Sequence, residues 1–199
     1  MSVPATHALD RRTLLAGLAA SLAAPAWAQA RPAARLVAAA RRQVGVTLSY
    51  DPAYSRLDFP MGDVDRAKGV CTDVVIRAYR DAFGLDLQAL VNADMRAAFS
   101  AYPKLWGLRG TDRNIDHRRV PNLQAFLKRK GAALSPAAGW QPGDIFTSMI
   151  GGRLPHIGIV SDRRGPRGWL VIHNIGAGAR EEDALGAHPV TGRYRWAVA

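Results

Sequence analysis

The sequence predicts an α+β domain in which N-terminal helices pack on a small antiparallel sheet. Three observations predict it. Through the first two thirds of the chain, apolar residues recur at spacings of three and four. Beyond the turn Gln141-Pro142-Gly143-Asp144 they gather into short β-rich runs bounded by turn residues. The 199 residues, 48% hydrophobic and 22% charged, suffice for one well-cored domain and not for two. Helices in one block and strands in the next indicate the α+β arrangement.

The first thirty residues read as an address. Arg11 and Arg12 precede an apolar stretch from Leu14 to Ala26, closed by small residues in Ala26-Trp27-Ala28 and Ala28-Gln29-Ala30. A charged start, a short apolar core and an Ala-x-Ala site are the parts of an export signal. The arginine pair resembles a twin-arginine signal, with an ordinary Sec signal as the alternative. Residues 1–30 are therefore expected to be an export signal and 31–199 the functional domain, carried out of the cytoplasm (periplasmic or extracellular) by the twin-arginine or Sec machinery. The apolar run is shorter than the roughly 20 residues that span a bilayer, so no permanent membrane span is expected.

In the domain itself, Pro32 to Val44 reads as a helix, with proline at its start, Leu36, Val37, Ala40 and Val44 on one face, and Gly45 as its stop. Thr47 to Gly69 lacks periodicity and reads as an ordered loop or broken strand. Cys71 to Phe83 is the clearest helix, apolar at 71, 74, 75, 78, 79, 82 and 83 and closed by Gly84. Leu87 to Phe99 reads as a second amphipathic helix. Lys104 to Val120 reads as an irregular loop, and Pro121 to Lys130 as a helix ended by Gly131. Strands are expected at Ile145–Met149, His156–Ser161, Leu170–Asn174 and Tyr194–Val198, with Arg163 to Gly168 as a hairpin connection.

The net charge is +11, yet arginine supplies all but four of the 27 basic residues and alanine is also abundant. Genome base composition produces that pattern unaided, so charge does not identify an anionic partner. Export and the lack of a nucleic-acid motif argue against nucleic acid as partner. No cofactor motif is present, and no cofactor or metal is expected.

A single cysteine excludes an internal disulfide and makes Cys71 the first residue to explain. It opens the best helix, where unpaired N–H groups and partial positive charge favour a thiolate. A thiol pKa below the ordinary value of about 8.5 is the corresponding expectation. A small buried hydrophobe is the plainer reading of the same residue. His156 opens one strand and His173 sits late in the next, so a hairpin can bring both to one sheet face. One imidazole then acts as base while the other fixes its tautomer.

A cysteine at a helix start followed by Gly143-Asp144-Ile145, His156-Ile157-Gly158-Ile159 and Ile172-His173 on successive strands resembles the papain-like fold of NlpC-type cell-wall cysteine peptidases. Closer still, Gly69 to Val75, Asn114 to Leu123, His156 to Asp162 and Ile172 to Gly176 resemble the YijF-type domain of unknown function. The resemblance implies nucleophilic acyl transfer with Cys71 as nucleophile, His156 as base and His173 as its orienting partner, acting on an amide of peptidoglycan peptide. It also implies an assisting tyrosine upstream of the cysteine, for which Tyr50 and Tyr54 are the candidates. The sequence departs from the NlpC pattern in reading Val70-Cys71-Thr72-Asp73 at the nucleophile and in a large insertion between Gly84 and Gly139.

The insertion contains Asn114-Ile115-Asp116-His117-Arg118-Arg119. Arginine suits bidentate carboxylate recognition, so Asp116, His117, Arg118 and Arg119 are candidate substrate-binding residues. The alternative is that Asp116 and the arginines pair internally and pin the insertion. Two further readings compete with catalysis. Cys71, His156 and His173 are legitimate zinc ligands, and a papain-like shell can also serve as a non-catalytic envelope or cell-wall binding protein.

Overall fold

A computed structural model describes residues 26–135, 137–196 and 198, with residues 26–30 described by backbone alone. The proposed export signal lies outside the described residues as far as position 25. Among the described residues no helix is long and apolar enough to cross a membrane.

Helix α1 spans Ala26–Arg41, so Pro32 lies inside it rather than at its start. Leu36, Val37, Ala39 and Ala40 are buried, but Val44 falls past the helix end and is exposed. Strands β1 (Ser49–Tyr50) and β2 (Lys68–Gly69) form a two-residue parallel ladder. Helix α2 runs Cys71–Phe83, as its periodicity predicts, and buries Val74, Val75, Ala78, Tyr79 and Ala82. Gly84 ends it at φ 69°, a left-handed conformation that costs glycine little, and its N–H closes on the Arg80 carbonyl at 2.8 Å. Helix α3 is Leu87–Ala97, with the Asp86 carboxylate accepting from the N–H groups of Gln88 and Ala89. Helix α4 is Val120–Arg129, with Pro121 in its first turn.

The remaining strands are β3 (Ile145–Ile150), β4 (Leu154–Gly165), β5 (Gly168–Asn174), β6 (Ala179–Glu182) and β7 (Val190–Tyr194). They form one antiparallel sheet in the order β6-β5-β4-β3-β7. Both edge strands differ from expectation. β6 has no counterpart in the sequence reading, because Ala179-Arg180-Glu181-Glu182 shows no apolar alternation. β7 lies ahead of the expected 194–198. The apolar character of the last residues comes instead from Trp196, whose ring packs 5.1 Å from Tyr79 and 5.4 Å from Phe126.

The two faces of the sheet do different jobs. Ile145, Ile157, Ile159 and Ile172 join α1, α2, α3 and α4 in the main core. Phe146, Val160 and Val171 point the other way and are covered by Trp140, Trp169, Ala184 and Leu185. By the two-residue period of a strand, His156, Gly158 and His173 belong to this second face.

One arginine organises the long segment between β1 and β2. Arg77, on α2, has 1% of its side chain exposed. Its guanidinium donates to Asp63 at 2.9 Å, to Thr47 Oγ1 at 3.1 Å and to the Val64 and Lys68 carbonyls at 3.1 Å. The segment that follows Tyr50 is therefore tied to the helix that carries Cys71. Replacing Arg77 by Met strands these acceptors, and a loss of about 3 kcal/mol of unfolding free energy is expected. Urea titration checks this; a loss below about 1 kcal/mol would mean the loop is held by other contacts.

Candidate active site

The start of α2 is built around a buried ion pair. No side chain caps the helix from Val70. Instead Asp73 reaches back and its Oδ2 accepts the Val70 N–H at 2.7 Å. The same carboxylate receives Arg118 through Nε and Nη2, both at 2.9 Å. The two side chains are 4% and 2% exposed. Thr72 Oγ1 donates to the Arg118 carbonyl at 3.0 Å, and the guanidinium also reaches the Asp51 and Ala53 carbonyls at 3.4 Å.

This arrangement decides what the insertion does. Arg118 is committed to Asp73 rather than offered to a ligand. Asp116 is buried, Arg119 pairs with it at 3.4 Å, and Arg119 stacks over Trp106 at 4.2 Å. His117 is 2% exposed. Burial pushes its imidazole down to about 4. Tyr54 is exposed and donates to Asp112 at 3.1 Å while accepting from Asn114 Nδ2 at 2.9 Å. Arg118 therefore pins the insertion to α2 and Asp116 pairs with Arg119 within it, in the manner of the internal alternative, while His117 is buried between them in the chain. Tyr54 ties that insertion to the loop after β1.

Tyr50 lies beside Cys71, His156 lies beside His173, and Ile157, next to His156, links the two pairs through its backbone. The regular pairing of β4 with β5 reaches Ile159↔Ile172 and goes no further toward the ends that carry His156 and His173. The start of α2 is fastened at that opening. Asn174 Nδ2, at the end of β5, donates to the Gly69 carbonyl at 3.0 Å and the Ser49 carbonyl at 3.2 Å. The N–H of Ile157, the residue after His156, points at the Cys71 sulfur together with the N–H groups of Cys71 and Thr72. Tyr50 is half-exposed beside the thiol, and burial with the nearby Cys71 pushes its phenol up to about 12.

Across the opening, His156 Nε2 lies 2.7 Å from His173 Nδ1, and His173 Nε2 lies 2.8 Å from Glu182 Oε1. Both imidazoles are buried, at 3% and 2% exposure. Gly158 makes this contact possible. A Cβ there would sit 2.7 Å from the Phe146 ring and 2.9 Å from His173 Cβ. Glu182 was not legible in the sequence. It lies in the charged run Arg180-Glu181-Glu182-Asp183, which looks like a solvated face. Only the register His173↔Arg180 puts Glu182 on the histidine's side of the sheet.

The thiol does not have the low pKa expected of a helix start. Burial pushes Cys71 up to about 11, outweighing the three N–H groups, and the Asp73 charge acts in the same direction. Burial pushes His156 down to about 3 and lowers His173 as well, the latter against the pull of Glu182. Burial thus favours the neutral form of the thiol and of both imidazoles. Among the described residues no three His, Cys, Asp or Glu side chains converge as metal ligands.

These features define an α+β protein with one cysteine at a helix start and a pair of histidines in contact on the sheet. The chain belongs to the family described as a domain of unknown function, DUF1287, whose model matches residues 37–196. It is 49% identical over 164 residues to the uncharacterized protein YijF of Escherichia coli (strain K12), covering 80% of this chain and 79% of that one. No solved structure matches significantly.

Two measurements test the site's construction. Removing either partner of the Asp73–Arg118 pair leaves a buried charge unmatched, so Asp73→Leu and Arg118→Met are each expected to cost about 3–5 kcal/mol. The double variant is expected to cost clearly less than the sum, a coupling above about 1 kcal/mol in a double-mutant cycle. Strict additivity would mean the two side chains act independently.

The second concerns pH. His156, His173 and His117 are held below the unfolded value of about 6.5. The unfolded chain therefore binds more protons as pH falls through that value, and stability is lost. Urea midpoints are expected to drop from pH 7 to pH 5, and less steeply in His156→Gln. A midpoint constant across that range would contradict neutral, buried imidazoles.

Proposed function

We propose that this protein is an exported thiol-dependent amidase or peptidase of papain-like, NlpC-type architecture that hydrolyses an amide bond in peptidoglycan peptides. One observation carries the reading: a cysteine at a helix start lies against the backbone next to an imidazole whose far nitrogen is already engaged. A backbone link of this kind puts a nucleophile and a base with its orienting group one residue apart along the sheet, which supports the reading.

Neutral resting groups select the order of events. A substrate carbonyl enters beside the helix start, and the Cys71 S–H proton passes to His156 Nδ1 as sulfur bonds to the carbonyl carbon. His156 Nε2 is engaged by His173, and a thiol–Nδ1 contact is of the kind that commonly forms only when substrate is bound. The N–H groups of Cys71 and Thr72 stabilise the oxyanion. Collapse breaks the C–N bond, and the departing amine takes the proton from His156. Water, deprotonated by His156, then attacks the thioester and releases the acid and the Cys71 thiol. Tyr50, with its hydroxyl beside the sulfur, borders the entry.

The test is incubation of the protein with soluble disaccharide-peptide fragments of cell wall, followed by mass spectrometry. Expected products sum in mass to the substrate plus water. Cys71→Ala should abolish them, and His156→Ala should slow them at least about a hundredfold. Intact fragments throughout, or turnover surviving in Cys71→Ala, would overturn the proposal; wall binding indifferent to Cys71→Ala would point to a non-catalytic binder.

A further inference from the structure

We infer that Glu182 is a positioning residue that sets the tautomers of two imidazoles in series and so decides which nitrogen of His156 is the base. The inference rests on the proposed thiol chemistry for its purpose, but its geometry stands apart from any substrate.

The argument is one of donor and acceptor counting. A carboxylate only accepts hydrogen bonds. At 2.8 Å from Glu182 Oε1, His173 Nε2 must carry hydrogen. A neutral imidazole has one N–H, so His173 Nδ1 is bare and can only accept. At 2.7 Å from it, His156 Nε2 must donate. His156 then has its single hydrogen on Nε2, and its Nδ1 lone pair is free. Reversing the direction would leave an N–H facing an N–H, or set lone pairs against the carboxylate. One accepting group on β6 thus fixes two protons in turn, on β5 and on β4.

A second effect follows from the same line of contacts. When His156 takes a proton at Nδ1 it becomes a cation in a buried place. Other positively chargeable groups do not help there, and His188 stands close enough to oppose protonation of both rings. The Glu182 carboxylate, reached through His173, offsets that charge. Its side chain is 41% exposed and fills no core position, so replacing it leaves the fold intact.

Long-range proton–nitrogen NMR of the ring nitrogens at pH 7.5 reads the tautomers directly, with iodoacetamide alkylation of Cys71 as a second readout. In the unaltered protein both His156 and His173 should carry hydrogen on Nε2 and none on Nδ1. In Glu182→Leu the His156–His173 pair should populate the reversed arrangement, and alkylation at pH 7.5 should slow about tenfold or more. Glu182→Gln, which keeps an accepting oxygen without the charge, should retain the tautomers while alkylation still slows. A merely structural role for Glu182 predicts unchanged tautomers in both variants, and that result overturns the inference, as does Nδ1–H on either ring in the unaltered protein. Failure to cleave cell-wall fragments, with the tautomer change present, would instead remove the proposed reaction and leave the role of Glu182 standing.

Discussion

The buried pair of Asp73 and Arg118 holds the other parts of the site in place. One carboxylate caps the helix that presents Cys71, and one guanidinium brings the insertion onto that helix and touches the loop following Tyr50. Two irregular segments and a helix start converge on two side chains. Neither charge is expendable singly, since the other would be left in the interior without a counter-charge. The pair thus couples the insertion, which looks peripheral in the sequence, to the orientation of the sulfur.

The sheet contributes by ceasing to pair. Regular β4–β5 pairing ends at Ile159 and Ile172, and the residues beyond include His156, His173 and Asn174. Asn174 fastens the helix start to the opening, while the absence of a side chain at Gly158 lets His173 approach His156. Buried polar groups are costly unless satisfied. Here the two imidazoles satisfy each other, and Glu182 at the rim takes the last N–H.

Much of this was legible in the sequence wherever local pattern and burial agree. Helix α2 and its glycine stop follow from spacing alone, because its apolar stripe faces one continuous core. The central strands follow from β-branched runs that are buried on both faces. Edge strands escaped because their residues answer to solvent: Arg180 to Glu182 have the composition of a surface turn, and Trp196 lends apolar character to a segment outside the sheet. The placement of Cys71 at a helix start and of His156 and His173 on adjacent strands was legible from local pattern. Arg118 read as a ligand-binding group because a sequence cannot show that Asp73, 45 positions earlier, waits for it. The thiol's surroundings were hidden for a related reason. A helix start predicts stabilised negative charge, but the depth at which that start is packed sets the opposing cost.

That depth has a chemical consequence of its own. Peroxides, disulfides and alkylating agents react with the anion of cysteine, scarcely with its protonated form. A sulfur 4% exposed, its pKa pushed up by burial, therefore reacts more slowly with indiscriminate electrophiles than an exposed thiol would. The same packing that withholds resting nucleophilicity gives the cysteine durability under oxidising conditions.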